Sequence, residues 1–327
     1  MSTPRFASLD VGSNTVRLLT AERLSSRDFR PLRVERIITR LGGGFSGAGE
    51  LRESSMERTV EAIRNLVDLA KKDGVKEIFA VGTGVMREAK NRKDFLERVE
   101  RRTGISLRLL SGVEEAHLML QGVLWSLKDK RLPRLVTDVG GWSTEIVWVE
   151  GEVPRETVSL GLGVVALTER FLKAAPPLAR ELEELETHSR NLVREIREQW
   201  ENAGKSVRDL QSNLIGTAGT ATTLAAIHLG LPTYDPQKVN GHLISLHDLK
   251  DIYDLLRSLP LRERQKVPGL ERGREDLIVA GAVIFLNLLE VFDLTALEVI
   301  DSGLLEGVLL EGIRQLRIGD CGMRIEG

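Results

Sequence analysis

The sequence predicts an α/β protein built from two domains of similar design. The turn Asp-Val-Gly occurs twice, at 10–12 and 138–140, and each copy lies between short apolar runs rich in β-branched residues. Such runs around a glycine turn are typical of a strand-turn-strand hairpin. Helical and strand patterns then alternate in both halves, and 327 residues is about the length of two ordinary domains.

Composition excludes several classes of protein. The chain is 42% hydrophobic and 29% charged, and its formal net charge of −2 excludes a generally basic protein that coats nucleic acid. One cysteine, Cys321, excludes a disulfide framework and suits a reducing cytosol. Residues 1–7 carry no apolar signal segment, and the apolar run 277–289 is shorter than the roughly 20 residues that a bilayer requires. We predict a cytoplasmic protein with no membrane or nucleic-acid partner.

The residues around the two glycine turns indicate a phosphate site. The first turn is Asp10-Val-Gly-Ser-Asn-Thr15 and the second is Asp138-Val-Gly-Gly-Trp-Ser-Thr-Glu145. Glycine lets the backbone direct successive N–H groups into one concavity, which favours an anion. A carboxylate that faces phosphate is repelled unless a hard cation lies between them. The two turns therefore predict a two-part clamp for magnesium-bound phosphate.

The rest of the first half predicts further elements and one ligand-facing junction. The junction, 82–91, follows a strand and carries Arg87, and such junctions commonly face ligands in α/β sheets. The predicted elements are a strand over 33–40, a helix capped by Ser54 or Ser55 and running to about residue 70, a strand over 77–81, a helix over 94–102 and a strand over 106–110.

Two adjacent glutamates open the next predicted helix, which runs to about residue 127. Ser111 and Glu114 have the spacing of a capping box, which gives Glu114 a structural role. Glu115 lies about 100° further round the helix and is available to point into a cleft. The alternative is that both glutamates are simply favoured at a helix N-terminus.

The second half begins after a polar connector, so we place the domains at 1–128 and 129–303, with a last helix over 304–327 that packs back on the first domain. A small-residue loop over 216–223 opens an apolar helix and offers backbone amides to phosphate or nucleotide, with close packing as the alternative. The basic loop 262–274 either guides a polyanion or is simply solvated. The other elements are a strand near residue 157, helices ending at 171 and over 179–201, 248–258 and 276–290, an irregular loop over 234–241 and a strand over 298–300.

Two other phosphate-binding folds fit poorly. A dinucleotide-binding fold needs a glycine turn that opens a helix, and no helical pattern follows either Asp-Val-Gly turn. Gly204-Lys205-Ser206 resembles the end of a Walker loop, but Gln199 stands where that motif has its first glycine.

Eight segments carry a more specific signal: 10–17, 83–91, 111–116, 138–145, 216–220, 234–236, 268–270 and 276–282. In this order, they resemble the exopolyphosphatase and guanosine pentaphosphate phosphohydrolase (Ppx/GppA) family in its short, two-domain form. The resemblance implies two ribonuclease H-like domains of the actin, sugar kinase and chaperone ATPase superfamily, with a cleft between them. It also implies hydrolysis of phosphoanhydride bonds, a Mg²⁺ cofactor and a link to the bacterial stringent response.

The same resemblance implies roles for individual residues. Glu115 would be the catalytic base. Asp138 would bind magnesium, with Glu145 as helper and Asp10 as a third candidate that more readily orders its loop or a water. Attack of water on a terminal phosphoryl group needs a base and a cation that offsets charge on the phosphate oxygens. The implied phosphate-binding residues are Gly12, Ser13, Asn14, Thr15, Arg87, Gly140, Gly141, Ser143, Gly216, Thr217, Gly219 and Thr220.

Four positions depart from the family pattern. Trp142 replaces a glycine of the second turn and either crowds the phosphate path or turns outward. His117, Val165 and Leu305 stand where the family has arginine. The loss of three arginines is expected to weaken the grip on a long polyanion.

We predict a phosphohydrolase that releases terminal phosphate from inorganic polyphosphate, with guanosine pentaphosphate as the closest rival substrate. The alternatives are a kinase of the same superfamily and a non-catalytic sensor of polyphosphate or guanosine penta- or tetraphosphate. A homodimer, frequent in this family, is left open. Four histidines lie without metal-ligand spacing and are expected to be ordinary residues: His188, His228, His242 and His247.

Overall fold

The structure is a computed structural model, and it describes residues 3–45, 49–130, 133–206, 210 and 213–322. Within these ranges, every helix is too short or too polar to cross a membrane. The strands are β1 Arg5–Val11, β2 Thr15–Arg23, β3 Phe29–Ile38, β4 Glu77–Gly82, β5 Arg108–Leu109, β6 Arg134–Val139, β7 Thr144–Glu150, β8 Val153–Leu160, β9 Asn213–Thr217, β10 His242–Ser245 and β11 Ala296–Val299.

Helices occur between many of these strands along the chain. A 3-10 helix, η1, covers Gly84–Arg87. The α-helices are α1 Glu53–Lys72, α2 Arg92–Thr103, α3 Gly112–Ser126, α4 Val164–Phe171, α5 Ala179–Asn202, α6 Ala218–His228, α7 Pro236–Val239, α8 Leu246–Ser258, α9 Leu261–Arg264, α10 Ile278–Val291 and α11 Leu304–Gly322.

The chain divides into two compact units. Unit 1 comprises Met1–Trp125 and Gly303–Gly327, and unit 2 comprises Ser126–Ser302. The predicted last helix is α11, and its predicted end at 323–327 lies outside the described residues. The assignment of two independent domains at 1–128 and 129–303 stays a prediction.

Unit 1 contains a five-stranded mixed sheet with the strand order β3-β2-β1-β4-β5. The strands β1, β2 and β3 form an antiparallel meander, and β4 and β5 continue the sheet in parallel. The helix α11 packs on β1, β2 and β4. Its apolar side closes a core that includes Phe6, Leu19, Phe29, Leu309 and Ile313.

Unit 2 repeats this arrangement with one added strand. Its sheet has the order β10-β11-β9-β6-β7-β8, with β6, β7 and β8 as the antiparallel meander and β9 and β11 in parallel. The added strand β10 lies antiparallel to β11 at the edge. The helix α10 is buried and contacts α5 and α8. The repeated ribonuclease H-like order confirms the prediction of two α/β halves of the same design.

Some local predictions are wrong. Neither predicted serine caps α1, because its N-cap is Arg52 and Ser54 and Ser55 lie in its first turn. The strand predicted over 106–110 is only Arg108–Leu109. The strand β10 was missed because four residues give no alternating pattern, and its backbone pairing comes from β11, far along the chain.

The predicted basic loop 262–274 has a structural role at Arg264. This side chain lies in α9 and is 2% exposed. Its guanidinium donates to the carbonyls of Leu256 at 2.8 Å, Leu259 at 2.9 Å and Glu275 at 2.7 Å. Burial lowers the pKa of Arg264, and the three carbonyls replace the hydrogen bonds to water that burial removes. For Arg264, neither the polyanion guide nor the solvated loop is correct.

Glycines let α3 and α11 approach each other within unit 1. A Cβ atom on Gly122 would lie 1.8 Å from the carbonyl oxygen of Gly303, and one on Gly307 would lie 1.8 Å from that of Leu118. A contact this short cannot exist, so any larger residue forces the backbones apart. The contact matters for function because α3 carries Glu115 at its N-terminal end.

The substitution Gly307→Ala is therefore expected to lower the free energy of unfolding by about 1 to 3 kcal/mol, the usual cost of overpacking. Alanine is the better helix former by about 1 kcal/mol, so any loss arises from the contact. Urea denaturation measures the change. The control is Gly161→Ala, where a Cβ meets nothing within 4 Å and a change of less than about 0.5 kcal/mol is expected. Equal stability of the two variants contradicts the close approach.

Candidate active site

The two glycine turns have the same hydrogen bond at their base. In the first turn, the N–H of Gly12 donates to the carbonyl of Thr15 at 3.0 Å. In the second, the N–H of Gly140 donates to the carbonyl of Ser143 at 3.0 Å. The first turn joins β1 to β2, and the second turn joins β6 to β7. The two strand pairs occupy equivalent places in the two sheets. The recurring sequence therefore folds in the same way in both units.

The first turn is oriented by its carbonyl groups. The carbonyl of Ser13 accepts from the N–H of Gly42 at 2.7 Å, and that of Asn14 accepts from the N–H of Thr39 at 2.9 Å. The C=O and N–H of a trans peptide point in opposite directions. The N–H groups of Asn14 and Thr15 are consequently directed away from this neighbouring segment, on one side of the turn.

The second turn is oriented by α4. The carbonyls of Gly140 and Gly141 accept from the N–H groups of Val164 at 3.0 Å and Val165 at 2.8 Å. These donors belong to the first turn of α4 and have no partner within the helix. By the same trans-peptide argument, the N–H groups of Gly141 and Trp142 point away from α4. Both turns thus have the backbone polarity of an anion-binding loop.

The backbone of Trp142 lies very close to Gly163. A Cβ atom on Gly163 would lie 2.2 Å from the Cα of Trp142. Residue Trp142 as a whole is partly buried. Glycine at position 163 therefore permits the close approach of this backbone to the second turn.

The two hairpins differ in the residue that faces the aspartate across the strands. In unit 1, Asp10 lies opposite Arg17, whose Nη2 and Nε donate to one Asp10 oxygen at 2.7 and 3.0 Å. In unit 2, Asp138 lies opposite Glu145. Unit 1 therefore has an internal ion pair at the position where unit 2 has two carboxylates.

Asp138 and Glu145 fit a magnesium ion. They are 4% and 1% exposed, and like charges opposite each other on neighbouring strands repel. Ser159 of β8 donates to one Glu145 oxygen at 2.7 Å. Mg²⁺ prefers oxygen ligands and often takes only one or two carboxylates, with water and phosphate completing its shell. The described ranges contain no cluster of three or more His, Cys, Asp or Glu side chains that could hold a metal ion.

The two glutamates of α3 have different partners. The Oε2 of Glu114 accepts from the backbone N–H of Ser111 at 2.8 Å, and the Ser111 hydroxyl accepts from the N–H of Glu114 at 3.2 Å. This confirms the predicted capping box, and the backbone hydrogen bond lowers the pKa of Glu114. Glu115 is buried and forms an ion pair with Arg87. The first glutamate thus holds the helix start, and the second faces a cation.

Ser13 connects the first turn to the segment that carries Arg87. Its hydroxyl accepts from the N–H of Val85 at 2.8 Å, and Val85 and Arg87 both belong to η1. Arg87 in turn pairs with Glu115. The structure therefore brings together three predicted parts of unit 1: the turn, the arginine and the proposed base. The hydroxyl of Ser13 is therefore used to connect the turn to η1.

The loop predicted over 216–223 does not exist. Gly216 and Thr217 end β9, and α6 begins directly at Ala218, which has a left-handed φ of 63°. Such strain in a residue other than glycine is typical of functional sites. The hydroxyls of Thr217 and Thr220 donate to the backbone carbonyls of Ser302 at 2.8 Å and Val139 at 2.7 Å, so both side chains hold the protein backbone.

Packing explains the two glycines of this junction. A Cβ on Gly216 would lie 2.6 Å from Leu297, so the close-packing alternative is correct for this residue. A Cβ on Gly219 would lie 2.2 Å from Nη2 of Arg274. Arg274 is buried, and Glu271 accepts from its Nε at 2.6 Å. Arg274 lies at the end of the predicted basic loop, and its contact with Gly219, which sets a cation at the start of α6, has no signal in the sequence.

The three positions at which arginine is absent have different environments. Val165 and Leu305 are buried in the apolar cores of unit 2 and unit 1, respectively. His117 is exposed. Only His117 presents a polar side chain at the surface.

Residues 21–315 match the Ppx/GppA phosphatase family. The chain is 31% identical over 323 residues to Exopolyphosphatase 2 of Mycobacterium tuberculosis, covering 95% of this chain and 99% of that protein. It is 27% identical over 323 residues to guanosine-5'-triphosphate,3'-diphosphate pyrophosphatase of Vibrio parahaemolyticus, covering 99% of this chain and 62% of that protein. The crystal structure of the Aquifex aeolicus Ppx/GppA family member superposes with a TM-score of 0.78 at 33% identity, covering 96% of this chain and 99% of that one.

These matches define the class of the protein as a phosphatase, and the repeated sheet order gives it a two-domain α/β fold. The chain belongs to the Ppx/GppA phosphatase family. The family resemblance, the fold class and the class of enzyme predicted from the sequence are thereby confirmed.

Proposed function

We propose that the chain releases the terminal phosphate of inorganic polyphosphate by magnesium-assisted attack of water, with Glu115 as general base. The observation that carries this proposal is the opposition of Asp138 and Glu145 on neighbouring strands, directly beside a turn with anion-binding polarity. A phosphate can lie beside two carboxylates only if a cation between them offsets the repulsion of their negative charges. Bound magnesium would offset the negative charge that develops on the phosphate oxygens.

The residues of the turns would hold the phosphates. The N–H groups of Asn14, Thr15, Gly141 and Trp142 supply donors that need no rearrangement, because their peptide planes are fixed by hydrogen bonds on the opposite side. The N–H groups at the start of α6 and the nearby guanidinium of Arg274 would add a further contact in unit 2. Ser13 supports the site through η1.

Glu115 would take the proton of the attacking water. A guanidinium has several N–H donors, so Arg87 can hold Glu115 with one of them and donate to phosphate with others. Arg87 therefore sets the distance between the base and the phosphate that it serves. A general base contributes about 10²- to 10⁴-fold, and positioning and electrostatics supply the rest.

Asp10 would have a separate role. One carboxylate oxygen, Oδ2, accepts hydrogen bonds from Arg17. The other, Oδ1, is buried without a hydrogen-bond partner among the described residues. A buried acceptor of this kind is usually satisfied by water. We assign Asp10 to the order of the turn and of one water, and the metal to Asp138 and Glu145.

Polyphosphate is the preferred substrate in this proposal, and the activity is placed in the cytoplasm. The relative named exopolyphosphatase aligns over 99% of its length, whereas the relative named for guanosine pentaphosphate aligns over 62%. The second candidate, guanosine pentaphosphate, is favoured by that second match alone.

The first test is Glu115→Gln, which is expected to reduce phosphate release about 10²- to 10⁴-fold because the amide cannot accept the proton of water. Steady-state phosphate release with magnesium in excess measures the loss, and circular dichroism verifies the fold. The matched control is Glu114→Gln, which changes the adjacent residue and keeps the helix start, because glutamine also completes a capping box. It is expected to leave kcat within about twofold. Wild-type turnover in Glu115→Gln rules out the base.

The second test is a comparison of substrates. Phosphate release is measured from long polyphosphate, tripolyphosphate and guanosine pentaphosphate, each with and without magnesium. The proposal expects release from polyphosphate that stops when magnesium is removed. A higher kcat/KM for guanosine pentaphosphate selects the second candidate. Binding without release, or transfer of the phosphate to an acceptor other than water, contradicts hydrolysis and points to the sensor or the kinase.

A further inference from the structure

Glu271 and Arg274 are brought together by a tight turn in the predicted basic loop. The N–H of Arg274 donates to the carbonyl of Glu271 at 3.1 Å, which closes a four-residue β-turn. Gly273, the third residue of this turn, has a φ of 88°, which glycine adopts without strain. The side chains at the two ends of the turn meet, and Nε of Arg274 donates to Oε2 of Glu271 at 2.6 Å. The ion pair is therefore set by a local turn.

The loop that carries this pair is pressed against α6 at two places. A Cβ atom on Gly269, which has a φ of 85°, would lie 2.2 Å from the carbonyl carbon of Ala226, near the C-terminal end of α6. At the start of α6, a Cβ on Gly219 would lie 2.2 Å from Nη2 of Arg274 and 3.0 Å from its Nη1. The guanidinium thus occupies the space that a side chain at position 219 would fill.

The start of α6 lies at the same edge of the sheet as the second turn. Thr217, the last residue of β9, is opposite Asp138 of β6 in the parallel register, at the usual strand spacing of about 4.8 Å. The hydroxyl of Thr220 donates to the carbonyl of Val139, the residue after Asp138, at 2.7 Å. The guanidinium at the start of α6 therefore lies next to the strand that carries the proposed metal ligand.

The ion pair is largely enclosed by protein. The side chain of Arg274 is 9% exposed and that of Glu271 is 19% exposed. A charge-assisted hydrogen bond is strong in surroundings this poor in water. Because a guanidinium is planar, a carboxylate that accepts from Nε fixes the plane in which both Nη groups lie. Glu271 therefore sets the direction of the donors that lie nearest Gly219.

We propose that Glu271 is a positioning residue for Arg274. It holds the guanidinium by Nε, so that the Nη groups are already ordered when they grip a terminal phosphate beside the second turn. This role rests on the proposed function and adds to it the residue that fixes the phosphate contact of Arg274. Glu271 touches the guanidinium and not the substrate, so its loss weakens the binding of phosphate and leaves the chemical step.

The test measures the binding of inorganic phosphate by isothermal calorimetry with magnesium in excess, together with KM and kcat for tripolyphosphate. Glu271→Ala is expected to weaken phosphate binding and raise KM about tenfold, with kcat within about threefold, because Arg274 loses its anchor. Gly219→Ala is expected to do the same, since its methyl group displaces the guanidinium. This second variant keeps both members of the ion pair, so the test does not depend on the stability of Glu271→Ala.

The control is Glu263→Ala, which removes the carboxylate of another pair three residues apart in the same loop. Glu263 is exposed and pairs with Lys266, so phosphate binding and turnover are expected to equal those of the wild type. Urea denaturation verifies that each variant is folded.

The positioning role is overturned if the wild type binds no inorganic phosphate, if Glu271→Ala or Gly219→Ala binds it as tightly as the wild type, or if Glu263→Ala loses as much affinity as they do. A wild type that binds phosphate but releases none from polyphosphate contradicts the proposed function instead. Binding needs no turnover, so the comparison of variants then still decides the role of Glu271.

Discussion

The two hairpins differ in the charge that faces their aspartate, and the roles proposed for them depend on this difference. Arg17 faces Asp10 and neutralises it within unit 1. Glu145 faces Asp138, and in the proposed mechanism a cation would offset the repulsion of this pair of nearly buried carboxylates. Two hairpins with the same turn and the same place in their sheets are therefore unequal, because a single cross-strand position differs in the sign of its charge.

The rest of each unit fixes the geometry of its hairpin. Turn carbonyls are held from one side, by the segment after β3 in unit 1 and by α4 in unit 2, so that the N–H groups face the other side. Ser13 ties the first turn to η1 and hence to the pair of Arg87 and Glu115. The strained residue Ala218 starts α6 without a loop, so its backbone donors lie directly at the end of β9. Preorganised donors of this kind are the main source of catalysis in phosphoryl transfer.

Sequence reasoning succeeded where the determinants are local. The hairpins follow from β-branched runs around glycine, and the capping box follows from the three-residue spacing of Ser111 and Glu114. It failed where a contact joins distant segments. Arg264 and Arg274 looked like members of a solvated or polyanion-guiding loop, yet one binds buried carbonyls and the other lies against Gly219. The short strand β10 and the pair of His228 and His242 have no local pattern at all, because each depends on a partner brought close by the fold.

The most direct test of this account is the number of Mn²⁺ ions, as a stand-in for magnesium, bound by two matched variants. Asp138→Asn and Asp10→Asn make the same change at equivalent positions of the two hairpins. The account expects the wild type and Asp10→Asn to bind one ion with similar affinity, and Asp138→Asn to bind it at least tenfold more weakly. Equal loss in both variants, or loss in Asp10→Asn alone, would contradict the claim that the charge opposite each aspartate determines which hairpin holds the metal.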